Sequence, residues 1–319
     1  MITTGSFSGH FDLRVYDAAT GRLTKSRSFP NLITNDGLIR YCSGNTFNSV
    51  RISVGTGTAE PLPTDTGLSN FLRSSNATNQ LLGNASTPQP PDYLSTTKMT
   101  IRFQAGEFHG DNISEIGVCV AGTVNVNNAH WCRALILDEY GNPSSITVLE
   151  NEYLDVTYTL IYHPNLDDTQ FTFEMDGVTY ECTARVAYVG SGVFNNSGYG
   201  HALSRGPLFI SRVYNSQTLG EITGQPIYSS GGMKEVYYDN NNIQYASERP
   251  YSHTSTFTLG LSAGNFDGGI GAMLLATNLY RAYGIMNQTQ VSINPKIPKD
   301  ANTEMTFTLM KSVSRWPTM

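Results

Sequence analysis

Between residues 99 and 105 apolar and polar side chains alternate without a break. Met99, Ile101, Phe103 and Ala105 fall on one side of an extended chain, and Thr100, Arg102 and Gln104 on the other. That is the period of a half-buried strand. Leu154-Asp-Val-Thr-Tyr-Thr-Leu160 repeats it, and Glu115-Ile-Gly-Val-Cys-Val120 and Trp131-Cys-Arg-Ala-Leu-Ile-Leu137 add short apolar runs of strand length. Two hairpins are legible. FDLRVYD and RLTKSRSF flank a turn at Ala18-Ala-Thr-Gly21, and FTFEM and VTYECTARV flank Asp176-Gly177, a dipeptide suited to a tight turn between strands. Further strands are expected at Ser49–Ser53, Thr256–Leu261, Ala282–Met286 and Met305–Leu309. Helical period is confined to small patches: a short helix through Leu38-Ile39, capped by Asn35 or Asp36 and stopped at Gly44, and one turn over Leu68–Arg73.

Short strands at this spacing predict an all-β fold, with a β-sandwich-like core over about 99–189 and 252–316. Residues 1–72 form a small N-terminal β-rich unit in this reading, and 73–98 an extended arm or linker. Residues 99–319 form the main domain, with a Gly-, Ser-, Asn- and Tyr-rich excursion at about 190–251. The arm is polar and broken by Pro88, Pro90 and Pro91. Leu81-Leu82 and Tyr93-Leu94 are its expected anchors on a neighbouring subunit or a second protein of an assembly.

Composition supports the all-β reading and removes some functions. Charged residues make up 14% of the 319, against about 25% in ordinary soluble domains. Thr, Ser and Asn supply the polarity, with 30 Gly and 18 Tyr. A formal charge of −6 and a pI near 5.5 offer nucleic acid no basic surface. Lys25-Ser26-Arg27 is only locally basic. No apolar run reaches the ~20 residues of a membrane span, and MITTGSFSGHF lacks the features of a secretory signal. Folding in a cytosol is expected, with Cys42, Cys119, Cys132 and Cys182 as thiols; a Cys119–Cys132 bond requires neighbouring strands.

Candidate chemistry is sparse. Val54-Gly-Thr-Gly-Thr-Ala-Glu-Pro-Leu-Pro63 opens like a phosphate loop, but a third glycine and a Gly-Lys-Ser/Thr are missing. Pro61 and Pro63 extend the chain where a helix would have to begin. The glycines instead permit a tight bend or the close approach of another backbone, and Asp65 is placed to cap a turn over Gly67–Phe71. His109, Asp111 and Asn112, and His163, Asp167 and Asp168, are the two places where His and Asp lie close, without metal-ligand spacing. Gly5-Ser-Phe-Ser-Gly9 misplaces its serine for a nucleophile elbow. Glu174 and Glu181 share the polar face of one hairpin, and Tyr237, Tyr238, Tyr245 and Tyr251 suit either sugar stacking or packing. No catalytic, cofactor-binding or metal-binding residues are assigned, and no cofactor. The residues read as those of a binding or structural protein.

Blocks taken in order resemble a family of tailed-bacteriophage virion proteins, the tail, tail-fibre or neck (collar) components. They are Asn31-Leu-Ile-Thr-Asn-Asp-Gly-Leu38, Val54-Gly-Thr-Gly-Thr58 running to Pro63, Asp65-Thr66 and Leu68, and Ser114-Glu-Ile-Gly-Val118. Arg133-Ala-Leu-Ile-Leu-Asp138, Gly141-Asn-Pro143, Ile146-Thr-Val148 and Glu152–Tyr158 follow, then Asn294–Lys299 and Ser314-Arg-Trp316. The resemblance implies a non-enzymatic virion component, assembled in the bacterial host cytoplasm as a homo-oligomer with other tail or neck proteins. The alternative it leaves open is a receptor-binding or glycan-binding tip or fibre protein that touches a host surface glycan. It carries no catalytic residues over to this chain.

Overall fold

A computed structural model describes residues 2–43, 50–75, 80–85, 89–120, 127, 129–187, 209–236, 244–246, 252–276 and 288–316. The fold is all-β, with a single helix among those residues. In chain order the elements begin with β1 (Ile2–Asp17), β2 (Leu23–Ile33), α1 (Asn35–Ser43), β3 (Val50–Gly55), β4 (Phe71–Ser74), β5 (Gln80–Ala85) and β6 (Ser95–Phe103). Next come β7 (Asp111–Ile113), β8 (Glu115–Val120), β9 (His130–Leu135), β10 (Ile146–Val148), β11 (Glu152–Pro164), β12 (Thr169–Met175) and β13 (Val178–Ala187). The last are β14 (Phe209–Tyr214), β15 (Met233–Glu235), β16 (Gln244–Ala246), β17 (Ser252–Leu259), β18 (Ile270–Ala276), β19 (Gln288–Ile297) and β20 (Met305–Arg315).

Nine strands hydrogen-bond in the order β4-β3-β8-β9-β2-β1-β11-β6-β5. Laid flat at about 4.8 Å per strand, this sheet would hold β4 and β5 nearly 40 Å apart. Only residues 75–79 join them, and five residues reach across about 20 Å at most. The sheet must therefore curl until its edges approach. Its concave side encloses one core, built from Phe7, Phe11, Leu13, Ile52, Ile101, Trp131, Val156 and their neighbours, with the β7–β10 pair contributing Ile113, Ile146 and Val148.

A second core lies between two layers. The sheet β12-β13-β19-β18-β14-β15 forms one layer, and β17 with β20 the other. Phe257, Leu259 and Met305 pack there against Cys182, Met273 and Ile293. The edges of β12 and β20 leave an open cleft of about 340 Å³ lined by Phe173, Met273, Ile293 and Phe307.

The expected unit boundaries need correction. Strands of 1–72 do not make a unit of their own: β1 pairs with β11 over Gly5–Asp17, β2 with β9, and β3 with β8. The alternating faces of β1 and β2 have no core except the one those later strands complete. In the expected arm 73–98, β5 pairs with β6 and β6 with β11, so much of it is sheet rather than linker; 76–79 and 86–88 lie outside the described residues. The excursion 190–251 contains β14, an inner strand bonded to β18. Its segment 215–232 is fixed by buried Gln290, which accepts from Gly220 N and donates to the carbonyls of Gly220 and Glu221. The strand expected at Ala282–Met286 lies outside the described residues.

β1 joins the two bodies. Along one edge it meets β11; along the other it meets β20 in parallel over Ile2–Phe7 and then β2 over Gly9–Tyr16. Residues between Pro164 and Lys311 are thus an insertion: the chain leaves the curled sheet at the end of β11 and returns to it through β20.

Candidate functional site

The glycine-proline loop Val54–Leu68 lies over two charges sealed inside the curled sheet. Glu115 opens β8 with no exposed surface, and Arg133, on neighbouring β9, is 2% exposed. Arg133 Nη2 lies 2.8 Å from Glu115 Oε2, and Nη1 donates at 2.6 Å to Asp65 Oδ2. Nη2 also donates to the Ala59 carbonyl at 2.7 Å. The carboxylate of Glu115 accepts in addition from three backbone amides, Gly57 at 3.0 Å, Ser69 at 2.9 Å and Asn70 at 2.6 Å. A ring of inward-pointing amides is how a phosphate cradle works. Here the anion is the protein's own Glu115.

That arrangement explains the glycines. A Cβ on Gly57 would overlap Ser69 Oγ and Glu115 Oε1, and one on Gly55 would stand 2.5 Å from the Asn70 carbonyl. The anticipated close approach is real, and its partner lies within the chain. Asp65 does not cap a turn over Gly67–Phe71. Its Oδ2 accepts from Leu62 N and from Arg133. Ser69 and Asn70 turn their amides to Glu115, and β4 starts at Phe71, so the helical turn expected over Leu68–Arg73 does not form.

Around this pair the chain is tied together from distant parts. Thr34, not Asn35 or Asp36, caps α1: its Oγ1 accepts from Gly37 N at 3.0 Å while donating to the His130 carbonyl at 2.6 Å. Asn35 N donates to the Pro63 carbonyl, and Arg315 donates to the Ile33 carbonyl and to Asn35 Oδ1. Trp316 N reaches the Phe7 carbonyl, and its ring stacks on His163 at 4.0 Å and 7°. Ser8 Oγ lies 2.8 Å from His163 Nε2.

The remaining sequence candidates are dispersed. His109 is 3.6 Å from Glu150, both exposed, while Asp111 faces Arg73 at 3.7 Å. Asp168 turns from His163 to Arg185, whose guanidinium beside it holds the carboxyl below its ordinary value. Glu174 and Glu181 sit on the exposed side of the β12–β13 hairpin, opposite Thr179 and Thr172. Tyr237, Tyr238 and Tyr251 lie outside the described residues, and for Tyr245 and Cys42 only the backbone is described. Cys119 and Cys132 do sit on neighbouring strands, but they and Cys182 are free, buried thiols. Among the described residues no three His, Cys, Asp or Glu side chains gather as a metal site would require, and no helix is long and apolar enough to cross a membrane.

Sequence reading missed the Glu115–Arg133 pair, although a signal existed. Each is a lone charge inside an apolar strand run, and a charge there needs a buried partner. Lys25 gave no such signal, since it lies in the polar run Thr24-Lys-Ser-Arg-Ser28, yet it grips the 4%-exposed Glu152 at 2.7 Å. Ser8 and His163 are 155 residues apart and gave none.

In comparisons with known proteins, no family model, no curated protein and no solved structure matches this chain.

Proposed function

We propose that this protein is a non-enzymatic structural component of a bacteriophage tail or neck, assembling as a symmetric oligomer with other virion proteins. One observation carries the reading. Five of the stretches on which the resemblance rests, far apart in sequence, meet in one hydrogen-bonded cluster. Ile33–Asn35, Ala59–Asp65, Glu115, Arg133 and Arg315 all belong to it. Residues shared with a family for a structural reason should meet in this way. Within the cluster the ionisable groups are spent on one another and on backbone amides, which suits a scaffold rather than a reaction centre. A low charged fraction suits surfaces buried on assembly, because charge is depleted at interface cores. Closed rotational symmetry is the common way for identical subunits to build such parts.

Immuno-gold labelling of intact particles, with the mass of the purified oligomer, tests the proposal. Label at the neck or along the tail and a closed oligomer are expected. Label confined to the distal tip would transfer the assignment to receptor or glycan binding. Particles carrying none of the protein would end the virion reading altogether.

A further inference from the structure

Two hydrophobic cores in one chain raise the question of what holds them in register. The first is built from residues between Phe7 and Tyr162 together with Val313, the second from residues between Tyr180 and Met305. The backbone crosses from one to the other twice, after Pro164 and before Lys311, and both crossings flank Gly5. That residue pairs with Pro164 on one side and Val313 on the other. A Cβ there would overlap the His163 carbonyl and stand 2.7 Å from the Tyr162 hydroxyl, and its φ of 151° is one that side chains avoid.

Four side-chain contacts close over this seam. His163, at the end of β11, lies flat on Trp316, just past β20, and its Nε2 is bonded to Ser8 of β1. Arg315 fixes the same end of β20 to the carbonyl of Ile33 and to Asn35 at the start of α1. All three strands of the seam are thereby fastened to one another at one point. Trp316 is 47% exposed, so its ring contributes to the seam more than to either core.

We propose that the His163–Trp316 stack is a latch that holds the inserted body, residues 165–310, in one orientation on the curled sheet. Opening the stack lets that body swing about the two crossings while each core stays folded. The latch stands independently of the virion role, since it rests on the seam alone.

Calorimetry, hydrogen exchange and small-angle scattering on the full chain test it, comparing wild type with Trp316→Ala and Trp316→Phe. Wild type and Trp316→Phe are expected to melt as one unit. In Trp316→Ala, exchange at 2–7 and 311–315 should accelerate about three- to tenfold, the equilibrium equivalent of one lost aromatic pair. The maximum dimension from scattering should grow and the melt should split in two, while exchange within β8, β9, β18 and β19 is unchanged. Unchanged scattering and a single transition in Trp316→Ala would overturn the proposal, as would a wild type that already melts in two steps. Should Trp316→Ala fail to fold, His163→Leu provides the same comparison from the other ring, read by the same criteria.

Discussion

Glu115 and Arg133 meet diagonally across adjacent strands at 2.8 Å, Glu115 with no exposed surface and Arg133 with 2%. A buried pair adds little net stability compared with apolar residues of the same volume, but removing one member strands the other charge. Glu115 also anchors three amides of the loop above it, so the cost of losing it falls on residues 55–70.

Arg133→Met is therefore expected to destabilise the fold by about 3–5 kcal/mol, because it leaves a carboxylate without its cation inside the sheet. The double change Glu115→Leu/Arg133→Met removes the stranded charge but leaves the Gly57, Ser69 and Asn70 amides without their acceptor, so it should cost less than the sum of the two single losses. Urea unfolding of Arg133→Met, Glu115→Leu and the double variant measures the difference. A double-variant loss equal to the sum of the two single losses would show that the pair is not coupled.

Gly57→Ala forces a methyl group against Ser69 Oγ and Glu115 Oε1. Overpacking of this kind costs about 1–3 kcal/mol, and hydrogen exchange should place the damage in 55–70 while β1 and β11 keep their protection.

Acid should act on Glu152. Burial pushes its carboxyl up, but the Lys25 ammonium, the Leu149 amide and the Thr24 hydroxyl together outweigh that and hold it below its ordinary 4.5. A group held low contributes stability that is present above its unfolded value and lost as the pH falls through the folded one. Unfolding midpoints should therefore drop below about pH 4.5. Lys25→Met should remove part of that slope and cost about 1.5–3 kcal/mol at pH 7, the contribution of hydrogen bonds to a charged group, while Glu152 keeps its Leu149 and Thr24 donors.

His163 titrates with the opposite charge change. Burial pushes its imidazole below the ordinary 6.5, with the Asp92 carboxylate partly offsetting it. The folded protein thus favours the neutral ring. Stability is full above pH 6.5 and declines as the pH falls through the folded value. His163→Gln should flatten that portion of the stability curve; an identical curve would show that the ring titrates freely.

Burial pushes the thiols of Cys132 and Cys182 up to about 12. Thiolate is the reactive form, so neither should be alkylated in the folded protein, and both should react once it is unfolded. Peptide mapping after iodoacetamide treatment reads this directly.

How much of this was legible depended on what kind of signal each element carries. The β12–β13 hairpin was readable because Asp176 and Gly177, at φ of 53° and 75°, adopt the backbone that their dipeptide favours. β6 and β11 were readable by strict alternation, since each has one wet face. β18, IGAMLLA with its described side chains buried, alternates nothing, and an apolar run of that length does not by itself distinguish strand from helix. The domain boundaries failed for another reason. Whether β1 closes on β2 alone or on β11 and β20 as well is decided by pairing across hundreds of residues, and local pattern is silent on it.

That long-range pairing has a consequence for how the chain is made. Ile2 of β1 pairs with Lys311 of β20, and at ribosomal rates of about 5–20 residues per second the partner emerges roughly 15–60 s later. Through that interval the Ile2–Phe7 stretch of that edge waits with its amides and carbonyls unmatched, while β2 already covers Gly9–Tyr16 and the inserted body is synthesised. A chain released before residue 311 would keep that edge bare, and bare edges template aggregation. Pairing of Ile2–Phe7 with β20 therefore comes only after the inserted body has been made, so this contact joins the earliest and latest strands among the described residues.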